Sequence, residues 1–252
     1  MVAAAVSLAV LAGCSAPAPA SGSASGSAPA APASVSPASP IVSPLPTAAA
    51  ASSFDREARS IDDPASLWVV VNKRRPLRQR TYVPPDLVTP AVRHTNVPRL
   101  RKAAASALTT MFAAAKRDGV TLVSLSAYRS YASQKAIFER NLRKLGSAKT
   151  LNLTAKPGYS EHQTGLADDL GDGTSCDLQV CFESHAAARW LAAHSWRYGW
   201  ILRYPRGLTR ITGIQTEPWH FRYVGKPLAA EMHRTGVRTL EQFFHLPPAP
   251  RY

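Results

Sequence analysis

Two short segments of this 252-residue chain hold residue types that could do chemistry together. The first is SEHQTGLADDLGDG, residues 160–173, which sets His162, Asp168 and Asp169 among glycines. The second is EPWH, Glu217 to His220. A stretch as polar as the first, between apolar neighbours, is costly to bury unless its polar groups have partners. Two imidazoles and one carboxylate make a three-ligand set for Zn²⁺ that leaves a fourth position for water. A further carboxylate off the metal can take that water's proton. Counting candidates gives His162, Asp169 and His220 as ligands and Glu217 as the base. Pro218 disfavours a helical turn, so this is not the helical His-Glu-x-x-His arrangement of many zinc proteases. An extended stretch can still present Glu217 and His220 to one cleft if a bend or bulge intervenes. On spacing alone, the same residues read equally well as hydrogen-bonded loop and surface groups.

The elements that must position them read as α+β. From Pro98 to Arg117, the apolar residues Leu100, Ala104, Leu108, Met111, Phe112 and Ala115 keep a helical period that stops at Gly119. Residues 120–128 read as a strand, and residues 131–145 as a second amphipathic helix closed by Gly146. Ser184 suits an N-cap and Gly199 a C-cap for a helix between them. The aromatic and β-branched runs 200–205 and 219–224 suit strands. Helices over 227–235 and from Thr239, with Gln242 in capping-box position, finish the chain.

The N-terminus has a different character. The first 54 residues carry no charged side chain, so the whole formal charge of +14 belongs to the remainder. Residues 3–12 are apolar but too few to span a bilayer, and suit the core of a secretory signal. They run into Leu11-Ala12-Gly13-Cys14, which resembles the lipobox of bacterial lipoproteins, although no basic residues precede the apolar run. Residues 1–14 are therefore expected to be a signal segment with Cys14 lipidated. Residues 15–53, almost entirely Ala, Ser, Pro and Gly, are expected to be a disordered tether, with one domain over 54–252. Outside the cytoplasm the close pair Cys176 and Cys181 is most simply a local disulfide. The basic residues at 73–75, 78, 80, 99, 101 and 102 read as a solvated face. They lack the interleaved aromatics of a nucleic-acid site and suit an anionic wall polymer or lipid surface.

The motif Ser160-x-His162-x-x-Gly165-x-Ala167-x-Asp169, followed by Glu217-x-Trp219-His220, resembles the VanY-like D-alanyl-D-alanine carboxypeptidases, zinc peptidases of the bacterial cell wall. The segments 69–77, 82–87, 126–134, 158–170, 190–205 and 217–225 look like that family in the same order. The resemblance implies a small antiparallel sheet carrying one zinc ion and flanked by helices, a Hedgehog/D,D-peptidase-like fold. It places the metal ligands at His162, Asp169 and His220 and the catalytic base at Glu217. Arg129 matches the family arginine that faces the substrate and can steady the oxyanion, while Gln134 and Ser160 match pocket-lining positions. Asp168 falls on a variable position and is expected to face solvent or accept hydrogen bonds. His94, His185, His194, His233 and His245 match no ligand position. The implied substrate is a peptidoglycan stem peptide, cut outside the cytoplasm by an enzyme on a lipid anchor, with no role for nucleic acid. The alternatives are an L,D-carboxypeptidase or wall endopeptidase on the same fold, or a non-catalytic wall-binding lipoprotein.

Overall fold

The computed structural model describes residues 54–252. The signal segment, the tether and Cys14 lie outside the described residues. In chain order the elements are β1 (Leu87–Val88), β2 (Leu100–Arg101), α1 (Lys102–Arg117), β3 (Val123–Ser126), α2 (Tyr131–Leu153), β4 (Ala167–Gly171), α3 (Ala186–His194), β5 (Trp200–Tyr204), α4 (Thr209–Thr212), β6 (Glu217–Tyr223), α5 (Lys226–Thr235) and α6 (Leu240–Phe243). Short 3₁₀ turns occupy Glu161–Thr164, Val180–Ser184 and Ser195–Tyr198. Strands β3, β4, β6 and β5 form one antiparallel sheet in that order. This is the α+β architecture that the sequence implies.

Side-chain alternation along the sheet divides the core. Trp200, Phe221 and Tyr223 join α1 and α3 in one apolar cluster. Ile201 and Val224 join α5 and α6 in the other, with Trp68 and Val70. The buried stripe of α1 includes Ala104, Ala105, Leu108, Met111, Ala114 and Ala115. That helix starts later than its apolar pattern predicts, because Leu100 and Arg101 pair with β1 instead. Helix α2 is capped by Ser130, which accepts from the Ser133 amide. It continues past Gly146, whose φ of 76° makes a kink where the sequence suggested an end. Ser184 is not the cap of α3. Its hydroxyl donates to the Cys181 carbonyl, and His185 takes the cap position. Gly199 does end the following turn, at φ 85°, and Thr239 caps α6 through the Gln242 amide.

The stretch after β4 is tied down at both ends. Cys176 and Cys181 are joined as a disulfide. The Asp177 carboxylate accepts from the Asp172 and Gly173 amides at 2.9 and 3.0 Å. That carboxylate lies over Gly171, where a Cβ would stand 2.0 Å from Asp177 Oδ1. The Gly171→Ala substitution must therefore push Asp177 off its two amides. An expected loss of about 1–3 kcal/mol of stability follows from this overpacking, measurable by urea unfolding.

Candidate metal centre

Strand pairing does most of the assembly. Asp169 on β4 sits directly opposite His220 on β6. His162 comes from the 3₁₀ turn that leads into β4, and Gly165 closes that turn at φ 67°, where a Cβ would meet Leu87 at 2.8 Å. One donor atom from each of His162, Asp169 and His220 lies within 4.8 Å of the other two, and all three residues are buried. His220 Nδ1 is 3.0 Å from Asp169 Oδ1, and His162 Nε2 is 3.4 Å from Asp169 Oδ2. His162 Nδ1 lies 2.7 Å from the Ala127 carbonyl, which can only accept, so Nδ1 carries the hydrogen and Nε2 presents its lone pair. Glu217 Oε2 is 3.9 Å from His220 Nδ1.

Residues three apart on a regular strand face opposite sides, yet Glu217 and His220 share one cleft. The reason is an irregularity in β6. Between the pairs Leu202↔Phe221 and Tyr204↔Glu217, β6 places four steps against two on β5. A smaller one in β3, between Ser124 and Ser126, faces Asp169 from the other side. The intervening bulge that the sequence required is present.

The electrostatics treat the two imidazoles oppositely. Burial, reinforced by the Arg129 charge, pushes His162 down to about 4. Burial also opposes charge on His220, but hydrogen bonds to Asp169 and Glu161 carry it up to about 9. Asp169 is held well below the usual carboxylate range despite burial, by the two imidazoles. Burial pushes the Glu217 carboxyl up to about 8.

Glu161, which sequence reasoning missed, supports this arrangement from behind. Its Oε2 lies 3.2 Å from His220 Nε2, while its Oε1 accepts from Arg203 Nε at 2.8 Å and Arg222 Nη1 at 3.0 Å. Arg203 also forks onto Glu241 at 2.9 and 2.7 Å, and Asn72 donates to the same carboxylate. Part of the signal was present in the sequence: Arg203 is the one charged residue of the aromatic and aliphatic strand Trp200–Tyr204, where a lone cation needs a buried anion.

The remaining expectations divide. Arg129, Gln134 and Ser160 all line the cleft with the cluster and Glu217. Arg129 Nε is buried without a partner among the described residues. Gln134 Nε2 donates to the Ala155 carbonyl at 2.7 Å, and its Oε1 is buried with no partner among the described residues. Trp219, which the motif includes without a role, lines the same cleft, as does Tyr204, which the sequence did not single out. Of the two roles expected for Asp168, facing solvent or accepting hydrogen bonds, it takes the second. Strand alternation turns it to the other side of β4, where it is fully buried and the Ser124 hydroxyl bonds both its oxygens at 2.9 and 2.8 Å. His185 pairs with Asp172 at 2.7 Å, and His94, His233 and His245 are exposed. The basic face is only partly solvated, since Lys73 is buried with its Nζ on the Pro250 carbonyl.

Two nitrogen donors, one carboxylate and a second carboxylate beside them, in a cleft of about 290 Å³, are the equipment of a metal-dependent hydrolase. Residues 97–226 match the family model described as VanY, D-alanyl-D-alanine carboxypeptidase, and the chain belongs to that family. YodJ of Bacillus subtilis (strain 168) is 41% identical over 191 residues, covering 73% of this chain and 69% of its own. The LdcB LD-carboxypeptidase structure superposes with a TM-score of 0.68 at 40% identity, over 72% of this chain and 87% of that one. VanYB in complex with D-alanine-D-alanine gives 0.60 at 31% identity, over 71% and 97%. A mutant of the D,D-pentapeptidase VanY in complex with Zn(II) gives 0.59 at 32% identity, over 71% and 98%.

Replacing Glu161 with Ala would leave Arg203 and Arg222 short of a buried anion and free His220 Nε2. Breaking such a pair from one side typically costs about 3–5 kcal/mol, and losing the partner of a metal-binding imidazole about 10–100-fold in metal affinity. Both losses are expected, read by urea unfolding and by zinc competition against a chelator. Glu161→Gln, which keeps an acceptor, should recover part of each.

Proposed function

We propose that this chain is a zinc-dependent carboxypeptidase that releases the terminal D-alanine from peptidoglycan stem peptides outside the cytoplasm. The observation that carries the reading is the convergence of His162, Asp169 and His220 on one point, with Glu217 beside them. The donors fit zinc: two imidazole nitrogens, one with its tautomer already fixed by Ala127, and one carboxylate, in a set of three that leaves a coordination position open. Zinc supplies Lewis acidity there, acidifying water and stabilising negative charge on the scissile carbonyl oxygen.

The chain's own residues do the rest. Glu217 takes a proton from the attacking water and passes it to the departing amine, and burial makes it a stronger base than a free carboxylate. Arg129, with a buried donor that no group among the described residues accepts from, holds the free carboxylate at the end of the stem. Gln134 Oε1 accepts an N–H of the substrate backbone. Ser160 lines the wall beside them. A non-catalytic wall-binding role would need the cleft but not a buried carboxylate beside the metal ligands. The export signal, Cys14 anchor and 15–53 tether fit an enzyme held near an immobile anionic wall.

A second reading has a specific observation behind it. The LdcB LD-carboxypeptidase is more similar to this chain than VanYB is, at 40% against 31% identity. It favours cutting a tetrapeptide stem between the diamino acid and a single D-alanine. Incubation with pentapeptide and tetrapeptide stems, measuring released D-alanine, separates the two. Release from the pentapeptide is expected; release from the tetrapeptide alone would establish the L,D reading.

The role of Glu217 is separable from metal binding. Glu217→Gln should retain stoichiometric zinc and lose about 10²–10⁴-fold in turnover, the usual worth of a general base. His220→Ala should lose the zinc itself. Metal analysis beside kcat on the stem peptides checks both.

A further inference from the structure

We propose that the disulfide-closed loop 176–181 holds Leu178 as a specificity-determining wall of the cleft, packing on the small apolar side chain that precedes the scissile bond. This rests on the carboxypeptidase reading above. Leu178 lines the same cleft as Arg129, Glu217 and the three metal-site residues. It is 43% exposed, so burial in the core does not account for a leucine there. Its backbone is equally telling. The Gln179 amide donates to the Cys176 carbonyl at 2.9 Å, which makes Leu178 the third residue of a tight turn, and its φ is +58°. That conformation belongs to glycine or asparagine in turns and costs a leucine roughly 1 kcal/mol or more.

Such strain persists only where the surroundings impose it, and here they do. The Cys176–Cys181 bridge closes the loop on either side of Leu178. Asp177 anchors it to the Asp172 and Gly173 amides at the end of β4, the strand that carries Asp169. The loop is thus locked to the catalytic strand, and the side chain it displays is aliphatic where local backbone preference would choose glycine. An aliphatic wall suits the methyl group of a D-alanine preceding the scissile bond. It penalises the charged end of a diamino acid, which would lose water without gaining a partner. Leu178 would therefore bias the enzyme towards pentapeptide over tetrapeptide stems.

Steady-state kinetics on both stems test this in the zinc-loaded enzyme, with Leu178→Gly, Leu178→Met and the double variant Cys176→Ser/Cys181→Ser. Leu178→Gly should raise KM for the pentapeptide about 10-fold, the scale of a lost apolar contact in a pocket, with kcat and zinc content little changed. Its thermal midpoint should hold or rise, because glycine relieves the turn. Leu178→Met, which keeps the aliphatic bulk, should restore a KM near that of the wild type. The cysteine variant should raise KM with Leu178 still in place. Equal KM values for Leu178→Gly and wild type on both stems would overturn the inference and leave the carboxypeptidase reading standing. A wild-type enzyme that releases D-alanine from neither stem overturns the reading, and this inference with it. Where the cysteine variant fails to fold, the Leu178 pair decides alone.

Discussion

Glu161 keeps a full negative charge with none of its side chain exposed, and two guanidiniums make that tolerable: Arg203 Nε at 2.8 Å and Arg222 Nη1 at 3.0 Å. Everything at the candidate metal centre leans on this arrangement. The oxygen that the arginines leave free is the one that takes His220 Nε2. With Nε2 committed to Glu161, Nδ1 is the nitrogen that turns towards Asp169 and the cleft. The arginines belong to the two strands β5 and β6, and Arg203 reaches on to Glu241 in α6. The C-terminal helix and the sheet are therefore joined through charges that end on one imidazole.

Buried ion networks are weak evidence for stability, since well-packed apolar residues of similar volume often do as well. What an apolar replacement could not do here is choose the tautomer and orientation of His220. An imidazole without that partner has two donor nitrogens to offer and a ring free to turn; with it, one remains. The Ala127 carbonyl performs the same service for His162 with a neutral group. The difference shows in the proton each carries. His162, buried near the Arg129 charge, is deprotonated at neutral pH, whereas His220 lies between two carboxylates that favour its cation.

Much of this was legible in the sequence because it depends on residue type and local order. The three donors, Glu217 and the cleft residues Arg129, Gln134 and Ser160 could be read from motifs. The helix and strand periods placed α1, β5, β6 and the start of α2 to within a few residues, but not the end of α2, which runs past Gly146 to Leu153. Asp168 shows the first limit. The motif separates it from Asp169 but leaves open whether it faces solvent or accepts hydrogen bonds, and the pleat of β4, which turns Asp169 to His220 and Asp168 to Ser124, decides for the second. Glu161 shows the second, because its partners lie 42 and 61 residues away and nothing local marks the pairing. Leu100 and Arg101 show the third: their apolar and basic types fit a helix, but pairing with β1 claimed their backbone first.

These features give the site a built-in coupling between metal and proton. An imidazole ligand must give up the proton on its coordinating nitrogen before it can bind. In the proposed zinc protein His162 offers Nε2 without that cost at neutral pH, and Asp169 is already ionised. Only His220 must release a proton, from Nδ1, and Glu161 makes that release harder by stabilising the imidazolium. The same carboxylate then strengthens the neutral ring as a donor, since an Nε2–H held by an anion pushes electron density towards Nδ1. Glu161 thus raises the barrier to loading the site under acidic conditions while tightening it once the proton has gone. A neutral acceptor such as the Ala127 carbonyl exerts less of either effect, and a site with one ligand of each kind has its pH response concentrated in a single residue.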